Sequence, residues 1–252
     1  MEPLLLCSNK DRDVKNANEL LIKRTKKFAR DIDKVKSIIP DNLFVYNPLK
    51  YAGDMHLQFI ERYAIKNTKV LFLGMNPGPF GMTQNGIPFG EVSFVRDYFK
   101  FDGIIKQPKK QLPSRPIQGL ACPRSEVSGL RFWSLMQEHY GSADKLVGEI
   151  YVSNYCPLVF LAKTNRAKNI TPDKLPKENR DIITELCDTY LWDAVDIIQP
   201  EYLVGIGKYA EKKLKNDKYP YSSILHPSPA SPLANKGWGE RATAQLKVLK
   251  IW

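Results

Sequence analysis

Apolar positions in this chain follow two different periods. Between Asn16 and Ile39, Leu21, Phe28, Ile32, Val35 and Ile39 fall on one stripe of a helix, while Lys23, Arg24, Lys26, Lys27 and Arg30 occupy the rest of its circumference. This spacing predicts a packing helix with a basic outer face, ended by Pro40. Further on, short continuous apolar runs take over: Lys69 to Gly74, Glu149 to Asn154, Tyr202 to Gly207 and Tyr221 to His226. Each breaks at Gly, Pro or a polar residue, as a buried strand does when it delivers its end into a shaped loop. Helix-length stretches separate them: Val127 to His139, Lys177 to Ile198 and Lys208 to Lys215, with a shorter one from His56 to Tyr63. Thr171-Pro172 has the form of an N-cap and N1 pair, and Val45 to Leu49 that of a turn-bounded extended piece.

Strands alternating with helices predict an α/β fold: a single three-layer α/β/α domain with a central four-stranded parallel sheet. The domain is expected over residues 14–252, after a flexible tail at residues 1–13. From Phe99 to Arg124 the chain is rich in Lys, Gln and Pro and predicts a long surface loop. Ligands of parallel sheets bind beyond the carboxyl ends of the strands, which is where Asn76, Asn154 and His226 fall.

With 43% hydrophobic residues, the 252-residue chain can fill a core of that size. Its 38 Lys and Arg against 27 Asp and Glu leave a formal charge of +11. That excess favours a polyanionic partner, with a solvated basic surface as the plain alternative. Cys7, Cys122, Cys156 and Cys187 have no paired spacing, which argues against zinc, disulfides and an iron–sulfur cluster. No apolar run approaches the ~20 residues that span a bilayer, so a soluble intracellular protein is expected.

The stretch Gly74-Met75-Asn76-Pro77-Gly78-Pro79-Phe80-Gly81-Met82, continuing to Gly86-Ile87-Pro88-Phe89-Gly90, stands at the end of the first strand. A carboxamide offers donor and acceptor in fixed geometry, so Asn76 and Asn154 suit water positioning or the reading of a base edge; turn or cap roles are the plain alternative. Phe89, held between Pro88 and Gly90, is either a stacking platform for a planar base or a core aromatic. His226 opens a Pro-rich segment that aims it at the mouth of the sheet, whereas His56 and His139 lie in helical surroundings and read as structural. Gly205-Ile206-Gly207-Lys208-Tyr209-Ala210 fits GxGxxA, but no acidic residue ends the next strand to hold a ribose. Its glycines are expected to let strand and helix pack closely. No GxSxG elbow is present, which removes the serine-hydrolase class.

Together GMNPGPFGM, IPFGEV, SEVSGLRFW, SNYCPL and HPSPASPLANKGW closely resemble the single-strand-selective monofunctional branch of the uracil-DNA glycosylase superfamily, from about Tyr46 to Trp238. The resemblance implies a base-flipping enzyme that needs neither metal nor cofactor and acts on DNA. It makes Asn76 the residue that positions the attacking water and His226 the one that stabilises the departing base. It also makes Phe89 the stacking ring, Asn154 the reader of the pyrimidine edge, Met75 a backbone contact, and Gly78 and Met82 the border of the 5-position. Gly78 is then expected to leave room for an oxidised methyl, which extends the substrates to 5-hydroxymethyluracil. DNA contacts implied in the same way are Lys163, Arg166 and Lys168, then Pro229, Ala230 and Ser231, and Ala234, Asn235, Lys236 and Gly237. Ala230 departs from the pattern, since an arginine wedge is expected there. No lysine stands at a nucleophile position, so a β-lyase step is not expected. A monomer without membrane association, resident in the nucleus, completes the expectation. A glycosylase for deaminated purines and a non-catalytic nucleic-acid-binding protein are the alternatives.

Overall fold

The computed structural model describes the backbone of residues 9–252 and the side chains from residue 16 onward. Of the flexible tail expected at residues 1–13, residues 1–8, with Cys7, lie outside the described residues, while residues 9–13 belong to the first helix.

In chain order the elements are α1 (Asn9–Asp33), β1 (Leu43–Tyr46), α2 (Pro48–Tyr51), α3 (Gly53–Tyr63), β2 (Val70–Gly74), α4 (Met82–Asn85), α5 (Val127–Tyr140), β3 (Ile150–Asn154), β4 (Val159–Ala162), β5 (Asn169–Ile170), α6 (Lys177–Ile198), β6 (Tyr202–Ile206), α7 (Lys208–Lys213), β7 (Tyr221–Ile224) and α8 (Trp238–Val248). Helix α1 starts well before the Asn16 that its apolar stripe predicts, and it hands over to a 3₁₀ turn at Lys34–Ser37. The stripe itself is as expected: Leu21, Phe28, Ile32, Val35 and Ile39 are all buried. Phe28 stacks on Tyr190 of α6 with ring centroids 4.2 Å apart. Thr171-Pro172 opens a 3₁₀ turn over Pro172–Lys174 without a side-chain cap, and α6 begins only after Pro176.

The central sheet is parallel throughout, in the order β3-β2-β6-β7. Every residue of β2 is buried, as a strand covered on both faces must be. Gly205 lets the chain fold tightly back after β6: a Cβ there would stand 2.4 Å from the Glu211 amide nitrogen, too close for any side chain.

Two features depart from the sequence expectation. A second, antiparallel sheet of order β1-β4-β5 flanks the first, with Leu43 opposite Ala162 and Tyr46 opposite Val159. The Phe99–Arg124 segment is not wholly a surface loop, because Phe99, Phe101, Ile117 and Cys122 are buried. Phe99 and Phe101 stack at 5.7 Å and join Phe59, Tyr63 and Trp133 in an aromatic cluster, leaving Lys106, Lys109 and Lys110 to solvent.

Candidate active site

The carboxyl ends of β2, β3 and β7 open on one cavity of about 310 Å³. Parallel register sets this up, since Gly74 and Asn154 are partners at the ends of adjacent strands. Met75, Asn76, Gly78, Met82, Phe89, Asn154 and His226 all line it, so the residues singled out in the sequence meet in one place.

Asn76 makes one long contact, through Nδ2 with the Leu158 carbonyl (3.5 Å), and lines the cavity. Asn154 is buried, and its Nδ2 donates to the Met82 sulfur at 3.2 Å. Phe89 has a backbone φ of 53°, a conformation bulky residues avoid and one that clusters at functional sites. Asn85 holds it there, donating to the Gly90 carbonyl (2.6 Å) and accepting from the Ile87 amide (3.0 Å). The Phe89 ring stacks on Phe132, centroids 5.3 Å apart, while also lining the cavity. The ring is buried in the core and still faces the cavity.

His226 has lost most of its contact with water, and burial pushes its pKa down to about 4. Its Nδ1 accepts the Ser228 backbone N–H at 3.0 Å. A neutral imidazole whose Nδ1 accepts must carry its proton on Nε2, so the ring presents a fixed N–H donor without a charge. His56 is structural, as expected: it is buried, its Nδ1 donates to the Gly86 carbonyl at 2.8 Å, and burial holds its pKa near 4. His139 stacks on Trp252 at 4.0 Å, away from the cavity.

Gly78 does not leave empty room. A Cβ at Gly78 would overlap Glu126 Oε2, and one at Gly81 would lie 2.8 Å from Glu126 Cγ. The Glu126 side chain thus fills the space that two missing side chains create, and it lines the cavity with Ser128. Burial raises its carboxyl pKa, Ser128 opposing through its backbone and hydroxyl groups and Glu91 adding to the rise. Sequence reasoning assigned Glu126 no role. Its signal was its place in the SEVSGLRFW motif, beside Ser128 at the start of α5.

Asn169 was also passed over as a cavity residue. It donates to the Pro77 carbonyl (3.0 Å) and brings the β4–β5 hairpin against the strand-end loop. Lys163, Arg166 and Lys168 are exposed on that hairpin, outside the cavity. Pro229 reaches the cavity wall, with exposed Ala230 and half-buried Ser231 beside it. Arg131 braces this segment by donating to the Pro227 carbonyl (3.0 Å) and Asn235 Oδ1 (2.9 Å). Asn235 also donates to the Pro229 carbonyl, so its carboxamide is committed within the loop. Ala234 is a correction: it is buried in the core, and its side chain cannot meet DNA. Lys236 and Gly237 are exposed just before α8. No Lys or Arg lines the cavity among the described residues, and no group of three or more His, Cys, Asp or Glu there could hold a metal ion.

Residues 60–249 match the family model described as the uracil DNA glycosylase superfamily. The chain belongs to that superfamily. Two curated members are single-strand selective monofunctional uracil DNA glycosylases of Bos taurus and Rattus norvegicus, 43% and 42% identical over 213 residues. Each alignment covers 82% of this chain, and 78% and 76% of the respective relatives. In architecture the superfamily fold is shared with the crystal structure of SMUG2 from Pedobacter heparinus, at a TM-score of 0.64 and 17% identity, over 91% of this chain and 97% of that one.

Proposed function

We propose that this superfamily member is a monofunctional DNA glycosylase that hydrolyses the N-glycosidic bond of uracil and 5-hydroxymethyluracil in single- and double-stranded DNA, taking the base flipped out of the strand. The observation that carries the reading is the convergence of Asn154, neutral His226 and Asn76 around the Phe89 ring in one cavity. A flipped uracil stacked on Phe89 turns its N3–H and O4 toward Asn154, whose Oδ1 accepts and Nδ2 donates. Cytosine, with an acceptor at N3 and a donor at C4, mismatches both groups.

Breaking the C1′–N1 bond leaves the electron pair on the base, as a uracil anion, and oxocarbenium character on the sugar. The Nε2–H of His226 is aimed at that negative charge, on O2, before the reaction begins. Because an amide is a very weak base, Asn76 orients a water toward C1′ more than it deprotonates it, so departure of the base runs ahead of attack. Water oxygen then bonds to C1′, and its surplus proton neutralises the base. A lyase step needs an amine nucleophile, and among the described residues no lysine lines the cavity. A nuclear location fits the substrate.

The test uses uracil oligonucleotides, single- and double-stranded, incubated with the protein in chelator and then treated with alkali. Strand scission at the uracil position only after alkali is the expected result. No scission in either form would overturn the reading, and scission before alkali would overturn the monofunctional assignment.

A further inference from the structure

The glycosylase reading orients the base, and the orientation points at Glu126. Along the edge of uracil run O2, N3–H and O4, followed by C5. Asn154 Oδ1 takes N3–H and Nδ2 takes O4, and Nδ2 is the atom 3.2 Å from the Met82 sulfur. The O4 and C5 side of the ring therefore faces Met82, and O2 faces His226. Gly81 precedes Met82, and the Glu126 side chain lies against both Gly81 and Gly78. A carboxylate thus borders the cavity where a 5-substituent would project.

Resting on that reading, we propose that Glu126 is the specificity-determining residue at the 5-position, accepting a hydrogen bond from the hydroxyl of a 5-hydroxymethyl group. An ionised carboxylate only accepts. It rewards a substituent that brings a donor, and it gains no further partner from the methyl of thymine. Against a 5-formyl oxygen it sets acceptor to acceptor. Selection among 5-substituted bases then depends on hydrogen bonding as well as on room.

Single-turnover cleavage of oligonucleotides carrying uracil, 5-hydroxymethyluracil, 5-formyluracil or thymine tests this in the full chain and in Glu126→Ala, Glu126→Gln and Glu126→Asp. Each rate is divided by that of uracil on the same protein, so a general loss of folding cancels. Glu126→Ala is expected to lower the 5-hydroxymethyluracil ratio by about tenfold or more, the loss of one charge-assisted hydrogen bond. Glu126→Gln, which adds a donor, should raise the 5-formyluracil ratio, and Glu126→Asp should fall between the unaltered protein and Ala. Unchanged ratios in all three variants would overturn the assignment alone. So would loss of all substrates together, because the carboxylate would then serve the common chemistry. Absence of uracil cleavage by the unaltered protein would overturn the glycosylase reading itself.

Discussion

Asn154 occupies the space that a side chain at Gly74 would need. The two are register partners on β2 and β3, and a Cβ at Gly74 would overlap Asn154 Oδ1 and lie 2.6 Å from Phe89 Cε2. The Asn154 carboxamide and the Phe89 ring are both seated on one missing side chain. Gly74→Ala must push them apart. The expected outcome is a drop in uracil release of roughly 100-fold, as misplacement by an ångström can produce, with about 1–3 kcal/mol lost in denaturant unfolding. Intact activity would show that Asn154 and Phe89 tolerate displacement.

His226 sets the pH behaviour. With its pKa held near 4 by burial, the imidazole stays neutral through pH 6.5, and kcat/KM should show no limb there. His226→Ala should slow the chemical step by about 10²–10³-fold, the loss of one preorganised donor to a developing anion. A limb near 6.5 in the rate profile would mean that the imidazolium is the working form.

The same burial makes a stability prediction. Folded His56 and His226 both titrate near 4, while the unfolded chain takes up their protons from about pH 6.5 downward. Stability is therefore whole above pH 6.5 and is lost as pH falls toward 4. Between pH 7 and 5 the loss is about 2 kcal/mol for each histidine. Urea unfolding at the two pH values measures it, and a His56→Phe variant should lose less than the unaltered protein.

Gly78 and Glu126 form a steric pair. Gly78→Ala alone should destabilise by about 1–3 kcal/mol, because its methyl overlaps the carboxylate. In Glu126→Ala the same change should cost little, giving a coupling energy of about 1 kcal/mol or more in a double-mutant cycle. Additive effects would mean that the two side chains do not compete for one space.

Asn76 has its own signature. Asn76→Ala should lower the single-turnover rate of uracil release by roughly 10²-fold. Asn76→Asp should also change it, because a carboxylate can take the proton of the water that an amide only orients. An unchanged rate in Asn76→Asp would count against a role for the carboxamide.

The central sheet was legible because each of its strands ends abruptly: VLFLG and IYVSN stop at the loops that carry chemistry. The antiparallel sheet was not. Its strand VFLA lies just past β3, and β5 has only two residues, so neither shows a period of its own. The pairing of β4 with β1 joins Leu43 to Ala162, a contact no local pattern announces. Asn76, Phe89, Asn154 and His226 could be found because strand ends and stiff loops mark positions aimed at a cleft. Glu126 could not, since only the absence of side chains at Gly78 and Gly81 draws it inward. In the Phe99–Arg124 segment, the Lys- and Pro-rich composition masked two aromatic anchors, Phe99 and Phe101.

Among the described residues the cavity wall holds amides, an uncharged imidazole and one acid, but no Lys or Arg, although the chain carries a charge of +11. On the glycosylase reading, capture of the strand and scission of the bond answer to different variables. Electrolyte competes with the outer cations for the phosphates and weakens capture steeply, yet it finds no exposed ion pair to screen where the bond breaks. Raising ionic strength should therefore shift the concentration needed for saturation and leave the rate at saturation where it was.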